Sequence, residues 1–266
     1  MAFYNICIDR SVVDMVRIIM HGCNGRMGQM ITGLVAEDSE ATIVAGIDIT
    51  GDQKNDYPVF ASLNDCNVEA DVVIDFGAAA AVDGVLDWCV SNNVPCVECT
   101  TGLSDEQVKH LEDCSKKVAI LKSANMSLGI NVLMKLVAEA TKVFADAGYD
   151  IEIVEKHHRM KLDAPSGTAL ALADSINEAK NNEYNYVYDR SQVRQKRDSK
   201  EIGISAVRGG TIVGDHDVIF AGQDEVITFS HQAYSRAIFG KGAVTAAKFL
   251  KGKGAGHYTM SDVIEK

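Results

Sequence analysis

Proline is scarce in this chain, three in 266 residues, and tryptophan occurs once. No Pro- or Ser-rich linker and no internal repeat divides it. Long apolar runs are also missing. Nothing approaches the ~18 apolar residues of a membrane span, so a membrane protein is not expected. No charged stretch leads into an apolar one at the start, so no secretory signal is expected. Basic residues are few: 26 Lys and Arg stand against 37 Asp and Glu, a formal net charge of -11. That balance argues against nucleic acid or anionic membrane as partner, since both reward clustered cations. The longest cationic run, Arg194 to Arg197, is followed by Asp198 and Glu201 and reads as a solvated loop.

The seven cysteines are odd in number and scattered, in a chain too large to need staples. They point to reduced thiols and a cytoplasmic location. Cys96-Val97-Glu98-Cys99 has the spacing of a redox or metal half-site. It sits at a strand end with no second pair, and small buried residues are the plainer reading. What is present fits a globular protein: 47% apolar and 24% charged residues, enough chain for one large domain or two ordinary ones.

One further absence is local. From Lys156 to Lys161 there is no acid, although the chain as a whole is acidic. His157, His158, Arg159 and Lys161 fall there, and a Pro165-Ser166-Gly167-Thr168 turn follows. A pocket for a small anionic substrate, with an acid/base group inside it, is one cause for such a reversal.

From Val16 the pattern is strand, glycine turn, helix. The turn Gly22-Cys23-Asn24-Gly25-Arg26-Met27-Gly28 lets the backbone approach a pyrophosphate, and the helix start beyond it supplies N–H donors. Strand 42–47 ends in Asp48, 20 residues beyond Gly28, where an acid accepts ribose hydroxyls. The alternative is a mere tight turn. Ile49 cannot grip a 2′-phosphate as an arginine could, which tilts the cofactor toward NADH over NADPH. Further strands are expected at 72–76, 94–98 and 118–121, with helices at 78–92, 104–117 and 128–147. Alternating elements with buried strands mean a doubly wound parallel sheet. Gly77, Thr101 and Asn125 then line its ligand-binding edge.

Beyond it come a strand at 151–156, a helix at 168–179 and a polar, exposed loop at 180–200. Residues 202–207, 217–220 and 225–230 alternate and read as antiparallel strands. A helix at 243–250 and a tail at 258–264 close the chain. The expected division is a Rossmann-like domain over 1–127, an α+β domain with a mixed or antiparallel sheet over 128–239, and a segment 240–266 returning to the first. Residues 1–14 read as a dispensable extension. His216 and His231 are assigned to packing or tetramer contacts, and Arg159 to an ion pair with Glu155 or Asp163.

The string Glu155-Lys156-His157-His158-Arg159-Met160-Lys161-Leu162-Asp163-Ala164-Pro165-Ser166-Gly167-Thr168-Ala169 resembles the signature of the 4-hydroxy-tetrahydrodipicolinate reductases (dihydrodipicolinate reductases). The resemblance runs from Met15 nearly to the end. It includes Gly22 to Gly28, Asp75-Phe76, Thr100-Thr101-Gly102, Ala124-Asn125, Gly129-Ile130-Asn131 and Gly256-His257-Tyr258. It implies reduction of a hydroxylated cyclic imine dicarboxylate by NADH or NADPH, with loss of water, on the diaminopimelate route to lysine. It further implies cofactor contacts from Gly22, Cys23, Asn24, Gly25, Arg26, Met27, Asp48, Cys99, Thr100, Thr101, Ser123, Ala124, Asn125 and Met126. His157 would be the acid/base residue and Lys161 a proton donor. His158, Gly167 and Thr168 would hold the substrate carboxylates, and the C-terminal sheet would build a homotetramer. The chain departs from the family at Gly77, Cys99 and Met126, where threonine, glycine and phenylalanine are usual. Gly77 loses a hydroxyl near the nicotinamide. No metal is implied.

Overall fold

The computed structural model describes residues 15–192 and 194–265. The proposed extension at 1–14 lies outside them. Two compact units result: one runs up to Ser123 and resumes at Gly240, the other is Ala124–Phe239.

The first unit is built on seven strands: β1 (Val16–His21), β2 (Ala41–Ile47), β3 (Val59–Phe60), β4 (Val72–Asp75), β5 (Cys96–Glu98), β6 (Ala119–Lys122) and, after the second unit, β12 (Gly256–Tyr258). Their order is β12-β6-β5-β4-β1-β2-β3, and every pairing is parallel. Parallel strands need crossovers. Helices α1 (Arg26–Ala36), α2 (Val82–Asn92) and α3 (Asp105–Ser115) supply three of them. The apolar faces of α2 and α3 pack on the central strands: Ile19, Val73, Leu86, Cys89, Cys96, Leu111 and Ile120 share one core. The expected capping box opens α3. Ser104 Oγ accepts from Gln107 N, and Gln107 Oε1 accepts from Ser104 N. The sequence tail contributes the edge strand β12 and the short helix α7 (Met260–Ile264). Before them α6 (Ala237–Leu250) lays Gly240 against Ile31 and Leu34 of α1, and Lys248 bonds Asp38.

In the second unit α4 (Leu128–Phe144) and α5 (Gly167–Glu178) cover one face of a five-stranded sheet. Its strands are β7 (Asp150–His157), β8 (Asn185–Tyr188), β9 (Glu201–Arg208), β10 (Gly214–Ala221) and β11 (Val226–Ala233), in the order β11-β10-β7-β9-β8. β10 is antiparallel to both its neighbours, but β9 is parallel to β7 and β8. Residues 202–207 therefore depart from the antiparallel expectation. The chain crosses over through α5 before β8, so β8 and β9 return in the direction of β7.

The stretch 180–200 is likewise more than a loop, because β8 forms within it and extends the sheet. Nor is Arg197 solvated. Its guanidinium bonds Asp150, Glu152 and the carbonyls of Ile151 and Glu201, tying the start of β7 to β9. Among the described residues no helix is long and apolar enough to cross a membrane.

Candidate active site

At the carboxyl edge of the first sheet the chain leaves β1 at Gly22, with φ +76°. A Cβ at Gly22 would lie 2.7 Å from the Phe76 carbonyl oxygen. A Cβ at Gly28 would lie 2.3 Å from the Gly22 carbonyl oxygen, so only glycine lets α1 start this close to β1. Gly25 caps α1 without any side-chain bond, and no acid stands in the helix's first turn. Its N–H groups thus remain available to an anion. Cys23 is buried, its sulfur below Gly46, and burial pushes its thiol up to about 11. Its N–H donates to Ile47 O and its carbonyl accepts from Gln29 Nε2, which fixes the turn.

Asp48 follows β2. Its carboxylate accepts from Asn24 N at 3.2 Å and from Thr50 N and Oγ1 at 3.2 Å, while Ile49 is 92% exposed. A glycine cradle, an uncapped helix start and an acid at the next strand tip fit a dinucleotide. Arg26 and Thr101 are exposed, Met27 and Cys99 half-buried, and Thr100 buried. Ser123 Oγ accepts from Met260 N. Ala124, Asn125 and Met126 fall in the second unit. Burial and nearby Glu98 push the Cys99 thiol well up, and the six described cysteines are free.

In the second unit β7 decides the site. Its alternating face carries Ile151 and Ile153, which pack in one core with Leu172 and Ile176 of α5, and then Glu155 and His157. Glu155 is fully buried. Its two oxygens accept from both terminal nitrogens of Arg208 at 2.7 Å, from His157 Nδ1 at 2.6 Å and from Ser166 N at 2.9 Å. Arg208 arrives because β9 is parallel: it stands opposite His157 in the register. Although burial pushes the Glu155 carboxyl upward, these bonds together hold it below its ordinary value. Nδ1 of His157 therefore carries the hydrogen, and Nε2 is the nitrogen that can exchange a proton. Burial, with Lys161 and Arg208 nearby, lowers the imidazole despite Glu155.

Around this couple Lys161 pairs with Asp163 at 2.9 Å. His158 Nε2 lies 3.4 Å from Arg236. Ser166 caps α5, its Oγ accepting from Ala169 N, and Gly167 and Thr168 open the helix with no acid in its first turn. Asn125 Nδ2 donates to Thr168 Oγ1. His157, Lys161, His158, Gly167 and Thr168 thus gather at the end of β7 and the start of α5.

Three partners were not foreseen. Glu155 stands two residues from His157, and strand alternation alone puts it on the same face. Arg208 is 53 residues away, with no local signal. His216, assigned above to packing, sits opposite Glu155 on β10. Its Nε2 meets Ser166 Oγ at 3.1 Å, its ring stands edge-on to His157, and burial lowers it to about 3, so it is neutral. The ion pair expected of Arg159 is replaced: Arg208 takes Glu155, and Lys161 takes Asp163.

Residues 16–126 match the family described as Dihydrodipicolinate reductase, N-terminus, and residues 129–264 match Dihydrodipicolinate reductase, C-terminus. The 4-hydroxy-tetrahydrodipicolinate reductase of Caldanaerobacter subterraneus subsp. tengcongensis is 53% identical over 95% of this chain and 99% of its own. The enzyme of that name from Clostridium tetani is 47% identical over 92% and 96%. A dipicolinate-bound dihydrodipicolinate reductase from Paenisporosarcina sp. TG-14 superposes with a TM-score of 0.77 at 26% identity, covering 92% of this chain and 97% of that one. A glycine cradle for a dinucleotide, a buried histidine–carboxylate couple and these matches agree: the chain belongs to the dihydrodipicolinate reductase family.

Proposed function

We propose that the chain reduces 4-hydroxy-tetrahydrodipicolinate to tetrahydrodipicolinate, with loss of water, on the diaminopimelate route to lysine. The observation that carries this reading is the buried His157–Glu155–Arg208 couple beside the open start of α5. When bound, the nicotinamide supplies the hydride. The N–H groups of Gly167 and Thr168, with His158 and Lys161, hold the substrate carboxylates by charge and helix-end dipole. Glu155 fixes the His157 ring, so that Nε2 is the atom that moves a proton. Lys161 Nζ, paired with Asp163, is the second proton source.

The uncapped start of α1 beyond the glycine turn binds the pyrophosphate through backbone N–H groups, and Asp48 accepts the adenosine ribose hydroxyls. Ile49 offers no cation to a 2′-phosphate, so NADH is preferred. Asp48→Ala accordingly weakens NADH more than NADPH, by about 1–3 kcal/mol, as fluorescence titrations measure. Equal losses overturn the preference. A homotetramer belongs to the same reading: Val226 and Tyr234, at and just beyond the two ends of β11, and Val207 on β9 are exposed apolar side chains that a second copy covers. A cytoplasmic site of action suits the free thiols.

The test mixes protein, NADH and the condensation product of aspartate semialdehyde and pyruvate. Reduced-nicotinamide absorbance falls. Tight NADH binding without consumption overturns the reading in favour of a non-catalytic NADH-binding protein.

A further inference from the structure

Four neighbouring strands of the first sheet end in a row of polar side chains. His21 of β1 stands opposite Asp75 of β4, Asp75 opposite Glu98 of β5, and Glu98 opposite Lys122 of β6. Asp75 and Glu98 are fully buried. Parallel in-register partners point to one face, so the side chains form a ladder. His21 Nδ1 donates to Asp75 Oδ1 at 2.5 Å, and Gly77 N donates to the same oxygen at 2.7 Å. A Cβ on Gly77 would lie 2.6 Å from the His21 ring. The imidazole therefore occupies the space of the side chain that residue 77 lacks.

Further along, Thr100 is clamped from both sides. Glu98 Oε1 accepts its N–H at 2.6 Å, and Lys122 Nζ donates to its carbonyl at 2.5 Å. Two oxygens are left over, Asp75 Oδ2 and Glu98 Oε2. Both are buried, and neither has a donor partner among the described residues. Two buried acceptors side by side are costly unless a proton lies between them.

We propose that Glu98 carries a proton that it donates to Asp75, and that His21, Asp75 and Glu98 are positioning residues that set the Thr100 backbone for the nicotinamide end of the cofactor. This rests on the reading above that Thr100 contacts the cofactor. Neutral Glu98 links Asp75 to the Thr100 N–H in one chain of hydrogen bonds. Loss of its proton sets two carboxylates against each other in a water-free place, and the link opens. Burial first, then Asp75, pushes the Glu98 carboxyl up to about 8, so this happens at mildly alkaline pH. The titratable neighbours are Asp75 and His21 on β4 and β1, Lys122 on β6, and Cys96 and Cys99 in and after β5, with Cys89 of α2 behind Cys96. The hydrogen bond with Cys89 and then burial hold the Cys96 thiol well above its ordinary range, and burial does the same for Cys99, so both stay neutral as Glu98 ionises.

Glutamine at 98 separates the outcomes. Its amide has one acceptor for Thr100 N–H and one donor for Asp75, a permanent copy of the protonated acid. NADH affinity is measured by fluorescence titration from pH 6.5 to 9.5, for wild type, Glu98→Gln and Glu98→Leu. In wild type the dissociation constant rises above about pH 8, by up to about tenfold per pH unit. Glu98→Gln holds NADH with one affinity across the range. Glu98→Leu binds more weakly at every pH, because Thr100 N–H and Asp75 both lose a partner. A wild-type affinity flat to pH 9.5, or the same alkaline loss in Glu98→Gln, overturns the proposal. Either result leaves turnover at neutral pH, and with it the proposed function, untouched. Failure of wild type to bind NADH at all overturns both.

Discussion

Glu98 and Glu155 are both fully buried at the end of a strand, and they are in opposite protonation states. Burial raises the carboxyl in each. Glu155 then meets Arg208, the His157 N–H and the Ser166 N–H, and these donors overcome it. Glu98 meets the Thr100 N–H but also Asp75, a second acid, and stays protonated up to about pH 8. The company a buried carboxyl keeps, not its depth, decides its charge. An ionised Glu155 orients a histidine and fixes its tautomer. A neutral Glu98 can donate.

The largest effect tests what the ionised member is for. His157→Gln lowers kcat by about 10²–10⁴-fold and leaves NADH affinity unchanged, as steady-state kinetics beside fluorescence titration show. Wild-type turnover would remove the His157–Glu155 couple from the chemistry. Next, Arg208→Met leaves the Glu155 charge buried with too few donors. Breaking such a pair costs about 3–5 kcal/mol, read as a lower urea midpoint. A neutral result breaks the comparison, because Glu155 would then need no cation.

A third test uses pH. The folded-state value of Glu155 lies below its ordinary 4.5. Its contribution to stability is present above that ordinary value and lost as pH falls through the folded one. Glu98 has the opposite sign. Its folded value is raised to about 8, so the folded state holds a proton that the unfolded state has released, and stability falls as pH rises from 4.5 toward 8. The slope is at most about 1.4 kcal/mol per pH unit. Glu98→Gln abolishes this fall, which urea unfolding at pH 5.5 and 7.5 measures, while the acid-side loss remains. The smallest effect is Ser166→Ala. Loss of the α5 cap costs about 1 kcal/mol in the same assay. A much larger loss would mean that His216 depends on the Ser166 hydroxyl as well.

The first unit was largely legible, because its signals are local. Glycine at 22 and 28, the capping box at Ser104 and alternating apolar strands each act within a few residues. The edges were not. β12 is three residues long and becomes a strand only because β6 lies beside it. β8 hides among asparagines and charges, and β9 fills its exposed hydrogen-bonding edge. The row from His21 to Lys122 was invisible as well. Its members come from four separate strands, and only the parallel register sets them side by side.

The stretch from Glu155 to Thr168 divides in the same way. By itself the sequence determined that two histidines, a lysine and a serine-capped helix start lie together, since a strand end and a turn keep them within a few residues. It also determined the dinucleotide turn, since only glycine fits there. Tertiary structure alone decided that Glu155 is ionised, that His157 keeps its hydrogen on Nδ1, and that Glu98 is neutral. Those states depend on Arg208, Ser166 and Asp75 arriving from other strands and loops. Chain-distant charges change a carboxyl's energy only once folding has excluded the water that would otherwise screen them.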